Sequence, residues 1–126
     1  MIKKIIQTDY APQPIGPYNQ AVLADNTLYI SGQIAIDPTS GEVVSQNIEM
    51  QTRQVIKNLE AVLQSGNSSL EKVVKTTIFL SDMDNFVKVN AVYSEYFGHS
   101  KPARSTVEVS CLPKNVLIEI DCIATK

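Results

Sequence analysis

Arg104 and Glu119 are the two residues of this 126-residue chain whose types best suit chemistry on a small acid. Arg104 opens a segment in which Val107 and Val109 alternate with polar residues, a pattern that predicts a strand with one apolar face. A guanidinium on a rigid strand offers a fixed fork of donors to a planar carboxylate. An unpaired glutamate can orient or deprotonate a water, or donate a proton. The alternative interpretation is a cross-strand salt bridge between the two, a commoner use of such a pair.

The spacing of the last two predicted strands bears on this choice. A tight turn at Pro113-Lys114 would pair Glu108 with Glu119, and two opposed carboxylates are unfavourable. It would also leave Arg104 and Glu119 four residues out of step, about 13 Å along the strand. Either the turn is longer or Glu119 meets an arginine of another subunit, which favours a site shared between chains.

Composition argues against several classes of function. The net charge is −2 and no cluster of Lys and Arg is present, so nucleic acid is not an expected partner. In residues 1–6 two lysines are followed by apolar residues, but the apolar run stops at Gln7 and is too short for a signal peptide or a membrane span. Cys111 and Cys122 fit no metal motif and are expected to be reduced, and the single His99 is interpreted as solvated. We therefore expect a cytoplasmic protein with no metal, no cofactor and no membrane partner.

The apolar pattern predicts one α+β domain over residues 1–126. Strand-like stretches lie at 1–6, as an edge strand, and at 21–24, 27–31, 73–80, 104–110 and 116–124. Apolar spacings of three and four predict two helices, one from about Asn47 to a capping Gly66 and one from Asp84, as N-cap, to Gly98. Such elements form one sheet with two helices on a single face. Leu117 and Ile123 would then lie on the uncovered face, which we expect self-association to bury.

Three shorter segments carry local signals. Asp25-Asn26 predicts a two-residue hairpin turn. Ser31-Gly32-Gln33 interrupts an apolar run and indicates a bulge or a close approach of the backbone to another group. Residues 9–19 contain three of the six prolines and predict an ordered loop that presents Tyr18, although an isolated tyrosine is more often a plug on the core.

The sequence has no Ser-His-Asp set, phosphate-binding loop, dinucleotide fingerprint or CxxC pair. Without a cofactor or a strong nucleophile, feasible reactions are those with low intrinsic barriers, such as hydrolysis of an electrophilic C=N bond. The residue types alone therefore predict a small-carboxylate site with a hydrolytic role open to it.

Seven short motifs, in order along nearly the whole chain, together resemble the RidA (YjgF) family. They are Ile15-Gly16-Pro17-Tyr18, Ser31-Gly32-Gln33-Ile34, Val74-Lys75-Thr76-Thr77, Asn90-Ala91-Val92-Tyr93, Pro102-Ala103-Arg104-Ser105, Leu112-Pro113-Lys114 and Ile118-Glu119-Ile120. The resemblance implies a chorismate-mutase-like α+β fold of about six strands and two helices, assembled as a homotrimer with a site in each cleft between subunits. It also implies a 2-iminobutanoate/2-iminopropanoate deaminase, which hydrolyses enamine and imine products of pyridoxal-phosphate enzymes, such as 2-aminoacrylate, to 2-keto acids and ammonia.

The resemblance assigns roles to seven residues of this chain. Arg104 would bind the substrate carboxylate, Glu119 would position and activate the water, and Tyr18 would hydrogen-bond water or substrate. The remaining predicted substrate contacts are Ser31, Gly32, Asn90 and Thr106. Many members have cysteine where this chain has Thr106, so a role through the backbone would survive the change and a thiol role would not.

The family also contains regulators, chaperones and translation-inhibiting ribonucleases. Members with deaminase activity carry the arginine found here as Arg104, which favours the enzyme. A ribonuclease is not favoured, because the chain offers neither a basic surface nor a pair of histidines. The main alternative is a trimeric sensor that binds small carboxylates, such as 2-keto acids, in the same cleft without turnover.

Overall fold

The computed structural model describes residues 2–126 as a six-stranded mixed sheet that carries two α-helices. The strands run in the order β1-β2-β3-β6-β4-β5, and among the described residues only the pair β4 and β5 is parallel. The predicted α+β class with about six strands and two helices is therefore confirmed. The elements are β1 (Lys3–Ile6), β2 (Ala21–Ala24), β3 (Thr27–Gln33), α1 (Ile48–Ser65), β4 (Val73–Leu80), α2 (Phe86–Phe97), β5 (Ala103–Glu108) and β6 (Ile118–Thr125).

The core lies between the helices and one face of the sheet. Every second residue of the central strands is buried there, because alternate side chains of a strand point to the same face. Each such aliphatic side chain contributes about 1.5–3 kcal/mol when it is fully buried. The sheet supplies Leu28, Ile30, Ile78, Leu80, Ile118 and Ile120, and α1 supplies Val55, Ile56, Leu59, Val62 and Leu63.

Helix α1 begins and ends where the sequence predicts, although the glycine at its C-terminus is needed for space rather than for its backbone conformation. Asn47 caps the N-terminus, since its side chain accepts a hydrogen bond of 2.9 Å from the backbone N–H of Met50. Gly66 caps the C-terminus as predicted, yet its φ of −93° is open to any residue. Glycine is required there by space, because a Cβ at this position would overlap the side chain of Leu28.

The predicted start of α2 is wrong. Asp82, not Asp84, provides the cap: its carboxylate accepts a hydrogen bond of 2.9 Å from the backbone N–H of Asp84. That contact begins a short 3-10 turn at Met83–Asn85, and α2 proper starts at Phe86. The N-cap position of α2 is Asn85, one residue after the predicted Asp84. Gly98 ends α2 as predicted.

The pairing that a tight turn would give the last two strands does not occur, as the opposed carboxylates indicated. Strand β4 lies between β5 and β6, so Glu108 does not oppose Glu119. Helix α2 is a crossover connection that returns the chain parallel to β4, which places β5 at the sheet edge. The link to β6 includes two residues with positive φ, Lys114 at 56° and Asn115 at 54°.

Two local predictions are confirmed. Asp25-Asn26 forms the two-residue hairpin turn that pairs Ala24 with Thr27, and Asp25 has the positive φ, 54°, that such a turn uses. The register of β3 against β6 shifts between Ile30 and Gln33, which is the bulge expected at Gly32. Of the predicted edge strand at 1–6, Met1 lies outside the described residues, and Lys3–Ile6 form the edge strand β1.

The face of the sheet opposite the helices is called the open face here. It exposes apolar side chains, among them Ile5 (55% exposed), Tyr29 (51%) and Val107 (42%). Ile123 lies on this face beside Tyr29, but Leu117 instead packs partly buried against the core just before β6. That these side chains are covered by another subunit stays a prediction.

Across residues 2–126, no helix has the length and apolarity needed to cross a bilayer. The same residues contain no group of three or more His, Cys, Asp or Glu arranged to hold a metal ion.

Candidate active site

Glu119 lies in the middle of β6 and points to the open face, because its neighbours Ile118 and Ile120 point into the core. Its carboxylate has no hydrogen-bond partner among residues 2–126 and is half-buried. Burial raises the pKa of this carboxyl above its ordinary value, and the nearby Asp121 carboxylate raises it further. A carboxylate of raised pKa is a better proton acceptor near neutral pH, which suits a general base.

Gly32 makes the space that Glu119 occupies. A Cβ built at Gly32 would lie 2.8 Å from Glu119 Cδ and would overlap Glu119 Oε2. The close approach predicted at this glycine is therefore to the Glu119 side chain. Ser31, one residue earlier, donates from its hydroxyl to the carbonyl of Asn19 at 2.6 Å. Ser31 thus ties the bulge of β3 to the loop that carries Tyr18.

Tyr18 is held at the end of the proline-rich loop rather than inserted into the core. Its ring is half exposed, and Gly16 turns the chain before it with a φ of 127°. The backbone N–H of Tyr18 donates to the carbonyl of Gly16 at 2.9 Å, and its hydroxyl accepts from the N–H of Ile15 at 3.4 Å. The alternative of a tyrosine plug on the core is therefore not observed.

Gln20 anchors this loop, and the sequence reasoning missed it. Its buried side-chain amide donates to the carbonyls of Thr8, Ala11 and Pro12 at 3.0, 3.2 and 2.8 Å. Its side-chain oxygen accepts from the N–H of Thr8 at 2.7 Å. The available signal was a glutamine placed directly before an apolar strand and after a loop of prolines, which supply carbonyls but no N–H donors.

Four of the predicted site residues thus surround one cavity of about 350 Å³ on the open face. We call it the Glu119 cleft. It is lined by Tyr18, Ser31, Gly32, Ile34, Pro113 and Glu119.

Arg104 lies elsewhere, on the helix side of the edge strand β5. Its Nη1 donates to Asn90 Oδ1 at 2.8 Å, so the side chain of Asn90 faces Arg104. The guanidinium carbon lies 5.5 Å from the ring centre of Phe86 and 5.0 Å from that of Tyr93. The Tyr93 hydroxyl is hydrogen-bonded to Thr76 Oγ1 at 2.7 Å. Burial raises the pKa of Tyr93, while the Thr76 hydrogen bond and the Arg104 charge act in the opposite direction.

Thr106 lies two residues after Arg104 and so shares its side of β5. Its hydroxyl is buried and has no hydrogen-bond partner among residues 2–126. Asn90, Arg104 and Thr106 therefore form a second group of predicted site residues, on the edge of the sheet.

Within one chain the two groups do not meet. Arg104 is paired with Thr76 of β4, whereas Glu119 is paired with Phe79, three residues further along the same strand. The two residues are therefore separated by about 10 Å along the strands and about 10 Å across them. Their side chains also point to opposite faces of the sheet. A salt bridge between Arg104 and Glu119 of one chain, the alternative interpretation, is thus excluded.

Comparisons with known proteins agree on one family. Residues 8–126 match the family described as Endoribonuclease L-PSP. A RutC family protein of Pyrococcus horikoshii is 57% identical over 125 residues, which cover 99% of each chain. The human 2-iminobutanoate/2-iminopropanoate deaminase is 44% identical over 124 residues, 98% of this chain and 90% of that one. The crystal structure of E. coli TdcF with bound serine superposes with a TM-score of 0.92 at 36% identity and covers 98% of each chain.

Proposed function

The chain belongs to the Endoribonuclease L-PSP family, which is the RidA/YjgF family, and from that premise we propose that it is a deaminase of 2-imino acids. Its substrates would be the reactive enamines and imines that pyridoxal-phosphate enzymes release, 2-aminoacrylate with its tautomer 2-iminopropanoate, and 2-iminobutanoate. Water would convert them to 2-keto acids and ammonia.

The observation that carries this proposal is the Glu119 cleft. It combines a half-buried carboxylate of raised pKa, a tyrosine hydroxyl and a glycine bulge that leaves room beside the carboxylate. A water held there by Glu119 would attack the C=N carbon and give its proton to the carboxylate. The protonated Glu119 would return that proton to the substrate nitrogen. Glu119 would then take the hydroxyl proton of the resulting amino alcohol and deliver it to the nitrogen, so that the C–N bond breaks, ammonia leaves and the keto group forms. Tyr18 would hydrogen-bond the water or the substrate.

The substrate carboxylate would bind the Arg104 fork, which lies outside the cleft of its own chain. We propose a homotrimer in which the β5 edge of one subunit meets the Glu119 cleft of the next. Two features support it: Arg104 and Glu119 face opposite sides of the sheet, and the open face exposes apolar side chains such as Tyr29 and Val107. A shared site would assemble all seven predicted residues around a single small molecule.

A sensor that binds small carboxylates in the same cleft is the second candidate. The serine bound to TdcF favours it, since that relative holds a small amino acid. A ribonuclease has less support, because the chain has one histidine and a net charge of −2 gives RNA no electrostatic attraction.

Imine clearance tests the proposal. A pyridoxal-dependent dehydratase generates the imine in situ, semicarbazide traps what persists, and keto-acid release is followed with and without the protein. We expect the wild type to accelerate release, with a loss of about 10- to 100-fold in Arg104→Ala, because a charge-assisted fork contributes about 1.5–3 kcal/mol. Arg53→Ala is the matched control, since Arg53 is exposed and paired with Glu95 on the outer helix surface.

Glu119→Gln separates the enzyme from the sensor. The enzyme requires a proton acceptor at this position, so hydrolysis should fall by about 10²- to 10⁴-fold while binding of a 2-keto acid persists. If the folded, associated wild-type protein did not accelerate keto-acid release but bound a 2-keto acid tightly, the deaminase proposal would be rejected in favour of the sensor.

A further inference from the structure

We infer that helix α2 orients the Arg104 guanidinium without neutralising its charge, and that Phe86, Asn90 and Tyr93 are positioning residues for the substrate carboxylate. This inference rests on the proposed function, because it assigns a purpose to the surroundings of Arg104 in that site.

The three residues form one stripe on α2. They stand at positions i, i+4 and i+7, which share a face of an α-helix. Two of them contribute aromatic rings whose centres lie 5.5 and 5.0 Å from the guanidinium carbon. The third, Asn90, contributes a side-chain oxygen at 2.8 Å from Nη1. Phe86, Asn90 and Tyr93 are named the α2 stripe below.

All three contacts of the α2 stripe stabilise the guanidinium cation without neutralising its charge. An aromatic face attracts the guanidinium through its quadrupole and has no net charge. An amide oxygen accepts a hydrogen bond and is also neutral. Within residues 2–126, the salt bridge present is Arg53–Glu95, so no carboxylate pairs with Arg104. The full charge of Arg104 therefore remains for an incoming carboxylate.

Two carboxylates close in sequence to Asn90 and Arg104 are occupied elsewhere. Glu95 lies on α2 five residues after Asn90, but both of its oxygens accept from Arg53 at 3.2 and 2.8 Å. Glu108 lies on the same side of β5 as Arg104, but it accepts from the backbone N–H of Met83 at 2.7 Å. Helix α2 thus contacts Arg53 with a carboxylate and Arg104 with a neutral amide.

The ring of Tyr93 is fixed in its turn. Its hydroxyl is hydrogen-bonded to Thr76, the residue of β4 that pairs with Arg104 in the sheet. The ring also packs on Phe97, with centres 4.6 Å apart. A long arginine side chain loses rotamer freedom when it binds a ligand, so a side chain held in advance binds the carboxylate more tightly.

Asn90→Asp tests the inference directly. The new side chain has nearly the same shape and still accepts from Arg104, so a purely structural role predicts no change in KM and no loss of thermal stability. If Asn90 is used because it is neutral, the carboxylate will occupy the guanidinium. We then expect KM for the imine and Kd for 2-ketobutanoate to rise about tenfold or more, kcat to change less than about threefold, and Tm not to fall.

Two further variants keep the test decisive should Asn90→Asp fold poorly. Phe86→Leu removes one aromatic face and should raise the same KM and Kd, whereas Tyr93→Phe keeps the ring and should raise them less than Tyr93→Leu. Unchanged KM and Kd in Asn90→Asp and Phe86→Leu, beside a large rise in Arg104→Ala, would overturn the inference and leave the proposed function standing. If Arg104→Ala also matched the wild type, the proposed function itself would fail.

Discussion

Replacing Gly32 with alanine should disable the Glu119 cleft while leaving the fold intact. The added Cβ would lie 2.8 Å from Glu119 Cδ and 3.1 Å from its Cγ, whereas unstrained carbon contacts begin at about 3.5 Å. The carboxyl carbon must therefore retreat by about 0.7 Å, and the Oε2 atom that overlaps the Cβ must move further. A misplacement of about 1 Å in a catalytic group can cost about 10²-fold in rate. We expect imine hydrolysis by Gly32→Ala to fall by about that factor.

The stability of Gly32→Ala should change little, because its φ is outside the left-handed region and the displaced atoms are the flexible end of a side chain. Gly41→Ala is the matched control. Gly41 has a φ of 75°, and a Cβ added there would have no atom within 4 Å. Alanine should therefore cost about 1–2 kcal/mol of stability and leave the activity unchanged. Urea unfolding and the imine assay measure both effects. If a folded Gly32→Ala variant hydrolysed the imine at the wild-type rate, the claim that activity depends on the position of the Glu119 carboxylate would be refuted.

Three other substitutions probe stability and assembly. Burial raises the folded-state pKa of Glu119 above its unfolded value, so the wild type loses stability as pH rises through that pKa. The urea midpoint of Glu119→Gln should therefore be higher than that of the wild type at pH 7.5 and equal to it at pH 4. The same difference in midpoint at both pH values would contradict this. Gln20→Met leaves three carbonyls without their side-chain donor and should lower the free energy of unfolding by about 1–3 kcal/mol. The urea midpoint should fall accordingly, whereas an unchanged midpoint would show that solvent satisfies the carbonyls. Tyr29→Glu charges the open face and should reduce the mass found by light scattering, with helix content kept; an unaltered mass would place the subunit contact elsewhere.

The elements could be read from the sequence because each depends on local pattern. Alternation in β6, the three-four spacing of α1 and the two-residue turn at Asp25-Asn26 are all decided by residues close in the chain. The error at Asp84 has the same origin, since Asp82 and Asp84 are equally good caps by type, and only the 3-10 turn at Met83–Asn85, which Asp82 caps, decides between them.

The sheet order could not be read in the same way. Whether β5 pairs with β6 or lies beyond β4 is decided by where α2 packs, and that depends on contacts between residues far apart in the chain. The resemblance named four residues that line the Glu119 cleft, but no local pattern reveals that Arg104 and Glu119 face opposite sides of the sheet. Gln20 was missed because a buried glutamine is visible only when its carbonyl partners are placed.

The central place of β6 has a consequence for how the chain folds. Strand β6 comes after the other five in the chain, yet it lies between β3 and β4 and pairs with both. Until it arrives, β1, β2 and β3 share no backbone pairing with β4 and β5. The sheet therefore cannot be completed progressively during synthesis, and its closure depends on contacts of long sequence separation, which slow folding. Glu119 lies on this strand, so the carboxylate of the proposed site is positioned only when the two parts of the sheet are joined.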